Sequence, residues 1–321
     1  FKDNPPIYCI YIVVVKDSCT IERHANNDAI NESGMNGEMP PGKKGKPLIE
    51  RRTCSPMILI VASSQDPAGM NIATQLVEHF PFDREGDDIY VHADKDVTLH
   101  ITGMRSISAD TIERTFTSVE ALFFITRHAS EKGVPTLSTH APGNFGSADL
   151  GGREKTLCPA NPHAQSIGLR TMHDHVQSDG MPYDVSFEAT HHGPYTEVPT
   201  TFFEIGSSME QWTDEKAGYV VADATMAATR YTEAQTPVAI GVGGGHYPYK
   251  ITDIALATEW SIGHIIPRYA FPLGKDMAHQ MIEKNGPTSA AIFDWKGTPQ
   301  RSNYRGLLEQ MGIKVFKTKD F

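Results

Sequence analysis

The sequence predicts an α/β fold: a single domain with a mixed β-sheet flanked by helices. Apolar runs long enough for strands buried on both faces recur along the chain, and segments of helical periodicity separate them. The composition is also globular, since 39% of the 321 residues are hydrophobic and 21% are charged. A chain of this length can bury a full core, in one large domain or two modest ones, without disulfides or metal. Collagen, coiled-coil and wholly disordered chains are excluded.

Residues 1–56 differ from the remainder and are predicted to form a flexible N-terminal extension. A short apolar run is followed by a polar stretch rich in Asn, Gly and Pro, which buries too little apolar surface to order itself. The basic cluster Lys43, Lys44 and Lys46 is interpreted as part of a solvated linker rather than a targeting or nucleic-acid patch. The folded domain is therefore expected to span residues 57–321.

The elements of this domain can be placed by pattern. The first strand is expected at 57–62, where the sequence is MILIVA, and a helix follows that begins at Pro67. Further strands are expected at 88–92, 97–101, 121–126, 185–189, 201–205, 238–242 and 290–293. Further helices are expected at 109–116, 164–175, 208–230, 252–259 and 275–284. This alternation favours an α/β sheet with long loops at the strand ends.

Membrane insertion and secretion are not indicated. The longest uncharged apolar run covers residues 7–15, well short of the ~20 residues needed to cross a bilayer. Three of the four cysteines lie in the first 56 residues, which is not a disulfide framework. The sequence therefore predicts a cytoplasmic protein without a membrane partner.

Histidines at predicted strand ends are the main chemical signal, and 13 of the 14 histidines follow Met57. The first group lies in Phe187-Glu188-Ala-Thr-His191-His192-Gly-Pro, where a strand enters a turn closed by Gly-Pro. Adjacent side chains at a strand end point to different sides, so one histidine can face a cavity while the other anchors the loop. Two surface histidines at a turn are the alternative.

The second group is Gly243-Gly244-Gly245-His246, which follows an apolar strand. Ligands of open α/β sheets bind at the carboxyl ends of strands. Consecutive glycines let the backbone approach a ligand closely and offer N–H groups to an anion or an oxyanion. The spacing matches no nucleotide-binding loop, and an ordinary tight turn is the alternative.

The third group is His140-Ala-Pro-Gly-Asn144, again a strand that leads a histidine into a glycine-rich loop. Three strand ends that each carry a histidine indicate one site. Imidazoles together with Glu188 and Glu204 would suit Zn²⁺, although the chain has no His-Glu-x-x-His or Cys-x-x-Cys spacing.

The chain lacks the signatures of a covalent hydrolase. It has no Gly-x-Ser-x-Gly motif, and Cys158 lies in a Pro-flanked loop without a nucleophile pattern. What remains is a cavity suited to activating water by general base or metal, while N–H groups hold an oxyanion. Such a cavity predicts hydrolysis of an acyl bond.

The motifs resemble the D-aminoacyl-tRNA deacylase family of archaea and plants. The resemblance is carried by Glu188-Ala-Thr-His-His-Gly-Pro194, Phe203-Glu-Ile-Gly-Ser207 with Trp212, and Gly243-Gly-Gly-His-Tyr247. Residues 58–67, 140–144 and 151–152 agree in order and position, so the resemblance covers about residues 57–321.

This resemblance implies hydrolysis of the ester between a D-amino acid and the terminal ribose of tRNA. It also implies a phosphorylase- or peptidyl-tRNA-hydrolase-like domain, with zinc as cofactor. The catalytic residues it implies are Glu188, His191, His192 and His246. The metal ligands it implies are His191, His192 and His246. The substrate-binding residues it implies are His140, Asn144, Thr190, Glu204, Gly243, Gly244, Gly245 and Lys250. Within this set, we expect His191 or His246 to activate water, the glycine N–H groups to bind the oxyanion and Glu204 to orient a histidine.

Charge limits how tRNA can bind. The chain has a formal charge of −10, and residues 57–321 hold 21 Lys and Arg against 32 Asp and Glu, so an extended grip on phosphates is not expected. A monomer that holds only the single-stranded acceptor end needs few phosphate contacts, which Lys250, Arg268 and Lys275 could supply. DNA is not an expected partner.

Three other functions remain open on the sequence. A zinc-dependent peptidase or amidase could use the same cluster to attack an amide. A nucleoside phosphorylase-like enzyme could bind phosphate at the glycine loop, but around Gly243 only Lys250 is available to assist. A non-catalytic RNA-binding module would not need so many loop histidines.

Overall fold

The computed structural model describes residues 9–15, 18–24, 56–130 and 133–321, the first two ranges by their backbone only. The chain divides into two units, 1–55 and 56–321, which are described separately. In the first unit, strands β1 (Cys9–Val15) and β2 (Ser18–His24) pair antiparallel. The lysine cluster at 43–46 lies outside the described residues, and the flexibility expected of 1–56 stays a prediction. No helix in the described ranges is long and apolar enough to span a membrane.

The second unit contains fourteen strands and seven α-helices within its described residues. The strands are β3 (Met57–Ser63), β4 (Phe82–Arg84), β5 (Ile89–His92), β6 (Val97–Thr102), β7 (Val119–Ala129), β8 (Thr136–His140), β9 (Gly143–Asn144), β10 (Thr156–Leu157), β11 (Asp184–Phe187), β12 (Thr200–Ser207), β13 (Val238–Val242), β14 (Ser261–Ile266), β15 (Thr288–Phe293) and β16 (Lys314–Lys317). The helices are α1 (Pro67–His79), α2 (Pro162–Asp179), α3 (Met209–Trp212), α4 (Glu215–Ala228), α5 (Tyr249–Ala257), α6 (Lys275–Glu283) and α7 (Arg301–Gln310).

Two principal sheets organise these strands. The larger has eight strands in the order β11-β8-β12-β7-β3-β6-β5-β4. Strands β12, β7, β3 and β6 run parallel, whereas β8 and its parallel neighbour β11 run antiparallel to β12. The smaller sheet has the order β14-β13-β15-β16 and is entirely parallel. The predicted α/β class with a mixed sheet flanked by helices is confirmed, while the second sheet was not distinguished in the sequence.

The central strands of the larger sheet are buried on both faces, as their continuous apolar runs predicted. Phe123 packs edge-on against Phe203 on the face covered by α1, α2 and α4. Phe124 stacks on Phe202 on the opposite face, with ring centroids 4.7 Å apart. Successive residues of a strand point to opposite faces, so each apolar run supplies two hydrophobic clusters.

Local signals set two helix ends: the start of α1 was expected at Pro67, whereas α2 continues beyond its expected end at 175. Helix α1 begins at Pro67 because the Asp66 carboxylate accepts hydrogen bonds from the N–H groups of Ala68 and Gly69. Helix α2 ends at Gly180, which adopts a left-handed conformation with φ 61°. Capping therefore explains boundaries that periodicity alone leaves uncertain.

Two predicted helices are wrong as single elements. At 109–116 the chain forms only a short 3₁₀ turn over Ile112–Thr115, because Thr111 is left-handed, with φ 54°. The predicted helix 208–230 is divided into α3 and α4, because the Asp214 carboxylate accepts from the N–H groups of Lys216 and Ala217 and so caps a new helix. The sequence analysis also missed β4, β9, β10, β14, β16 and α7.

Candidate active site

Five histidines and two glutamates meet in one cluster beside the larger sheet. They come from β7, β8, β12, the loop after β11 and the loop after β13: His128, His140, Glu188, His191, His192, Glu204 and His246. The ring centroids of His191 lie 4.5 Å from His140, 4.2 Å from His192 and 4.6 Å from His246. The three predicted histidine groups therefore form one site, to which the structure adds His128.

The loop after β11 is held by backbone hydrogen bonds. Strand β11 ends at Phe187, two residues before the predicted end, so Glu188 already lies beyond the strand. The Ala189 N–H donates to the His246 carbonyl at 2.8 Å, and the Gly143 N–H donates to the His192 carbonyl at 2.8 Å. His192 is left-handed, with φ 47°. This conformation breaks strand alternation, so His191 and His192 both face His140 instead of opposite sides.

Glu188 is the hub of the cluster and is fully buried. Its Oε1 accepts from the Ser138 hydroxyl at 2.6 Å and lies 3.2 Å from His128 Nδ1. Its Oε2 lies 2.8 Å from His246 Nε2 and 3.5 Å from His191 Nε2. Burial alone would raise the pKa of Glu188, but the contacts with His128 and His246 outweigh it and hold the pKa well below the usual range. Glu188 is therefore a carboxylate.

Glu204 and His128 form a second charged pair next to Glu188. Glu204 Oε2 lies 3.6 Å from His128 Nδ1, and Glu204 Oε1 lies 3.8 Å from His140 Nε2. Burial would lower the pKa of His128, but Glu188 and Glu204 together raise it to about 10. The position of Glu204 between His128 and His140 is compatible with its predicted orienting role.

The ring orientations of His191 and His192 are fixed by main-chain carbonyls. His191 Nδ1 lies 2.8 Å from the Ala189 carbonyl, and His192 Nδ1 contacts the Gly193 carbonyl. A carbonyl oxygen only accepts, so each Nδ1 carries the proton and each Nε2 keeps its lone pair. Burial, followed by the nearby His140, lowers the pKa of His192 to about 4, and burial with neighbouring histidines lowers that of His191 well below its ordinary value. Both rings are neutral at pH 7.

The cluster fits a divalent metal that prefers nitrogen and oxygen ligands. Ligand atoms of His140, His191 and His192 lie within 4.8 Å of one another, as do those of His128, Glu188 and His246. Within residues 56–130 and 133–321, four buried atoms of the cluster make no hydrogen bond: His140 Nε2, Glu188 Oε2, Glu204 Oε2 and His246 Nε2. Glu188 Oε2 and His246 Nε2 are close but poorly aligned. Buried polar atoms are almost always satisfied, and Zn²⁺ would satisfy imidazole and carboxylate ligands of this kind.

Three predicted substrate-binding residues lie outside the cluster. The Thr190 hydroxyl accepts from the Ile265 N–H at 3.1 Å and bonds to His264 Nδ1 at 3.0 Å. The Asn144 amide donates to the carbonyls of Gly151 and Arg153 and so closes a loop. Lys250 pairs with Asp294 at 2.8 Å and is exposed. In this structure, Thr190 and Asn144 make contacts within the protein, and Lys250 lies at a separate cleft.

The N–H groups of the glycine loop, Gly243 to Gly245, are not all available to an oxyanion as predicted. The Gly243 N–H donates to the Ile266 carbonyl at 2.8 Å, and the Gly244 N–H donates to the Gly297 carbonyl at 3.3 Å. These donors are engaged, so the expectation that all three glycines bind an oxyanion does not fit Gly243 and Gly244. Gly243 has φ 94°, and a Cβ there would lie 2.2 Å from the Thr298 hydroxyl. Close packing explains the glycine at position 243.

Sequence reasoning missed His128. Strand β7 was predicted to end at 126 but continues to Ala129. His128 is the residue before its end and pairs with Gly206 of β12. A histidine just beyond a predicted buried strand is the same signal that identified His140, so it could have been included.

Comparisons with known proteins identify the family of this chain. A family model described as D-aminoacyl-tRNA deacylase matches residues 115–316. The chain is 35% identical over 274 residues to the D-aminoacyl-tRNA deacylase of Thermococcus kodakarensis, covering 81% of this chain and 100% of the relative. It is 34% identical over 273 residues to that of Pyrococcus furiosus, with the same coverage of 81% and 100%.

A solved structure supports the fold. The crystal structure of a conserved protein of unknown function superposes with a TM-score of 0.76 and 29% identity, covering 83% of this chain and 96% of that chain. The family model and the relatives together show that the chain belongs to the D-aminoacyl-tRNA deacylase family.

Proposed function

We propose that this chain hydrolyses the ester between a D-amino acid and the terminal ribose of tRNA, releasing free D-amino acid and tRNA. Family membership supports the substrate, and the cluster around Glu188 supports the chemistry. The observation that carries the proposal is the meeting of three imidazoles, those of His128, His191 and His246, on the buried Glu188 carboxylate. We also propose that the protein acts in the cytoplasm as a monomer on the acceptor end of tRNA.

Zinc is the cofactor that we propose for this site. His140, His191 and His192 would hold it, next to Glu188 and His246. When bound, zinc lowers the pKa of a coordinated water and polarises a carbonyl. The unpartnered buried atoms and the fixed Nε2 lone pairs support this proposal, because carbonyl contacts at Nδ1 are the usual arrangement behind a metal-binding histidine.

Two side chains, His246 and Glu188, take part in the proton transfers. His246 has a side chain that is 31% exposed and lies 2.8 Å from Glu188, so it reaches both the solvent side and the buried carboxylate. In the proposed reaction, His246 takes a proton from the attacking water, and Glu188 stabilises the imidazolium that results. As the ester C–O bond breaks, His246 returns this proton to the ribose oxygen. One water is consumed, and one carboxyl and one hydroxyl are produced.

The alternatives are less well supported. A phosphorylase-like enzyme would use the glycine loop to bind phosphate, but the N–H groups of Gly243 and Gly244 are already bonded. A peptidase or amidase could use the same cluster, yet the family and relatives offer it no support. The number of side chains committed to the cluster argues against a non-catalytic RNA-binding module.

Release of D-tyrosine from D-Tyr-tRNA, compared with L-Tyr-tRNA, tests the proposal. We expect D-selective hydrolysis by the intact chain and its loss in His191→Ala and His246→Ala. His279→Ala is the matched control, because this histidine is exposed and lies outside the cluster. Sensitivity to a zinc chelator would support the metal, and full activity in its presence would contradict it. If the intact chain cleaves neither ester, the proposed function fails.

A further inference from the structure

A cleft of about 170 Å³ lies beside the glycine loop, outside the histidine cluster. We propose that it binds the 3′-terminal nucleotide of tRNA, with the base on Tyr249 and the phosphate at Lys250. This assignment rests on the proposed function and adds the part of the substrate that the cluster does not hold. The residues that matter are Tyr247, Tyr249, Lys250 and Asp294, which all line the cleft.

The cleft is close enough to the cluster to share one substrate. Tyr247 lines it, and the Tyr247 ring centroid lies 5.2 Å from that of His246 and 5.6 Å from that of His128. A single aromatic ring therefore separates the two spaces. The ester sits on the terminal ribose, so the base and phosphate of that nucleotide must lie within a few ångströms of the cluster when the ester is in place.

Tyr249 offers a stable surface for a base. Its ring is 46% exposed, yet it is held from two sides. The Tyr247 ring lies 5.9 Å away at an angle of 36°, and the Tyr249 hydroxyl donates to Asp184 at 3.4 Å. Unpaired bases of single-stranded RNA stack on exposed aromatic rings of this kind, largely regardless of sequence.

Lys250 supplies a cation at the same cleft. Its Nζ lies 2.8 Å from Asp294 Oδ1, and its side chain is 55% exposed, whereas that of Asp294 is 11% exposed. Asp294 also accepts from the Gly297 N–H at 3.2 Å, so the carboxylate is fixed and orients the lysine. An ammonium has three N–H donors, and the bond to Asp294 uses one of them. A phosphate can therefore bind without breaking the ion pair.

The same charges argue against the D-amino acid side chain as occupant. An apolar side chain placed here would take Lys250 and Asp294 out of water without providing a polar partner, which is unfavourable. A nucleotide provides a phosphate for the lysine, and hydroxyl or amino groups for the carboxylate. The cleft chemistry thus fits a nucleotide better than an amino acid side chain.

Binding of adenosine 5′-monophosphate to the full chain, measured by calorimetry, tests the proposal without any need for catalysis. Tyr249→Ala should weaken binding about tenfold, and Tyr249→Phe, which keeps the ring, should restore it. Lys250→Ala should weaken the monophosphate but not adenosine. Lys216→Ala is the matched control and should change nothing. Lys216, on helix α4, forms an exposed ion pair with Asp179 of helix α2, and neither residue lines the cleft.

The substrate kinetics complete the test. The monophosphate should inhibit hydrolysis of D-Tyr-tRNA competitively, and Tyr249→Ala should raise KM about tenfold with a smaller change in kcat. No binding to the intact chain, or equal binding by Tyr249→Ala, would overturn the proposal. A variant that instead changes the preference among D-amino acids would assign the cleft to the side chain. If binding behaves as expected but the intact chain hydrolyses no D-Tyr-tRNA, only the proposed function fails.

Discussion

Two buried histidine environments in this protein differ in a way that separates structure from chemistry. His264 and His140 are both 0% exposed. His264 has a partner on each ring nitrogen, Thr190 Oγ1 at 3.0 Å and the Cys158 carbonyl at 2.9 Å. His140 has a carbonyl at Nδ1, but its Nε2 makes no hydrogen bond within the described residues. The two histidines therefore differ in hydrogen-bond satisfaction and not in burial.

The electrostatics of the two environments differ as well. Burial lowers the pKa of His264 to about 4, and no carboxylate opposes it. In the cluster, Glu188 and Glu204 raise the pKa of His128 to about 10 in spite of its burial. The environment of His264 keeps an imidazole neutral, whereas the cluster holds buried charges in contact with one another. Buried carboxylates paired with histidines are typical of sites that move protons or bind metals.

The strongest test of this contrast is Glu188→Gln, which keeps the shape of the side chain but removes its charge. We expect kcat/KM for D-Tyr-tRNA to fall by about 10² or more, because His246 loses the carboxylate that stabilises its protonated form. Glu197→Gln is the control, since Glu197 forms an exposed pair with Arg114 and should retain activity. Wild-type kcat/KM in Glu188→Gln would contradict the role of this carboxylate.

Zinc affinity should also distinguish the two environments. His191→Ala removes a proposed ligand and should weaken zinc binding at least tenfold, in competition with a chromophoric chelator. His264→Leu removes no ligand, so the folded variant should bind zinc within a few-fold of the intact chain. Equal zinc affinity in His191→Ala and the intact chain would argue against the proposed ligand set.

The free energy of unfolding, unlike zinc affinity, should depend strongly on His264. His264→Leu leaves the Thr190 hydroxyl and the Cys158 carbonyl without their partner, and we expect a loss of about 3 kcal/mol in the free energy of unfolding. Urea denaturation monitored by circular dichroism measures this loss. The exposed His279→Ala should fall within about 0.5 kcal/mol of the intact chain. An unchanged urea midpoint for His264→Leu would show that its two hydrogen bonds are unimportant.

The pH dependence of stability gives the smallest expected effect. Since the folded pKa of His264 is about 4 and the ordinary value is 6.5, the unfolded chain binds this proton first as pH falls. The stabilisation is complete above pH 6.5 and is lost progressively between pH 6.5 and 4. Between pH 7 and 5 it should amount to about 2 kcal/mol.

The variant His264→Leu separates the pH-dependent contribution of His264 to stability from the titration of other groups. Its free energy of unfolding should therefore fall less steeply than that of the intact chain over the same interval. Urea titrations of both proteins at pH 7, 6 and 5 measure the difference. If the free energy of unfolding falls equally with pH in the two proteins, the pH dependence does not come from His264.

Much of the fold followed from local sequence. The predicted strand 238–242 coincides with β13, and Asp66 with Pro67 correctly marked the start of α1. Failures occurred where a side chain competed with the helix, as at Asp214, or where a backbone angle left the helical region, as at Thr111. Such helix breaks depend on one or two residues, so a hydrophobic pattern averaged over a helical period does not reveal them.

The candidate site was predicted only in part. His140, Glu188, His191, His192, Glu204 and His246 were identified and do converge. Thr190 and Asn144 were assigned with them but bond within the protein, because a motif contains residues that build a loop as well as residues that face a ligand. Lys250 lies at the neighbouring cleft. His128 was missed because strand β7 was predicted to end at 126, whereas it continues to Ala129.

By itself, the sequence determined the α/β class, most strands, the histidine-bearing loops and the family resemblance, because short-range pattern and motif order encode them. Only the tertiary structure decided which imidazole nitrogens are free, since that depends on carbonyls and carboxylates brought together by strand pairing. It also decided that the Gly243 and Gly244 N–H groups are already bonded, and that Tyr249 and Lys250 share a cleft with Asp294. Hydrogen-bond satisfaction is a property of the packed molecule, so distant segments must meet before it is defined.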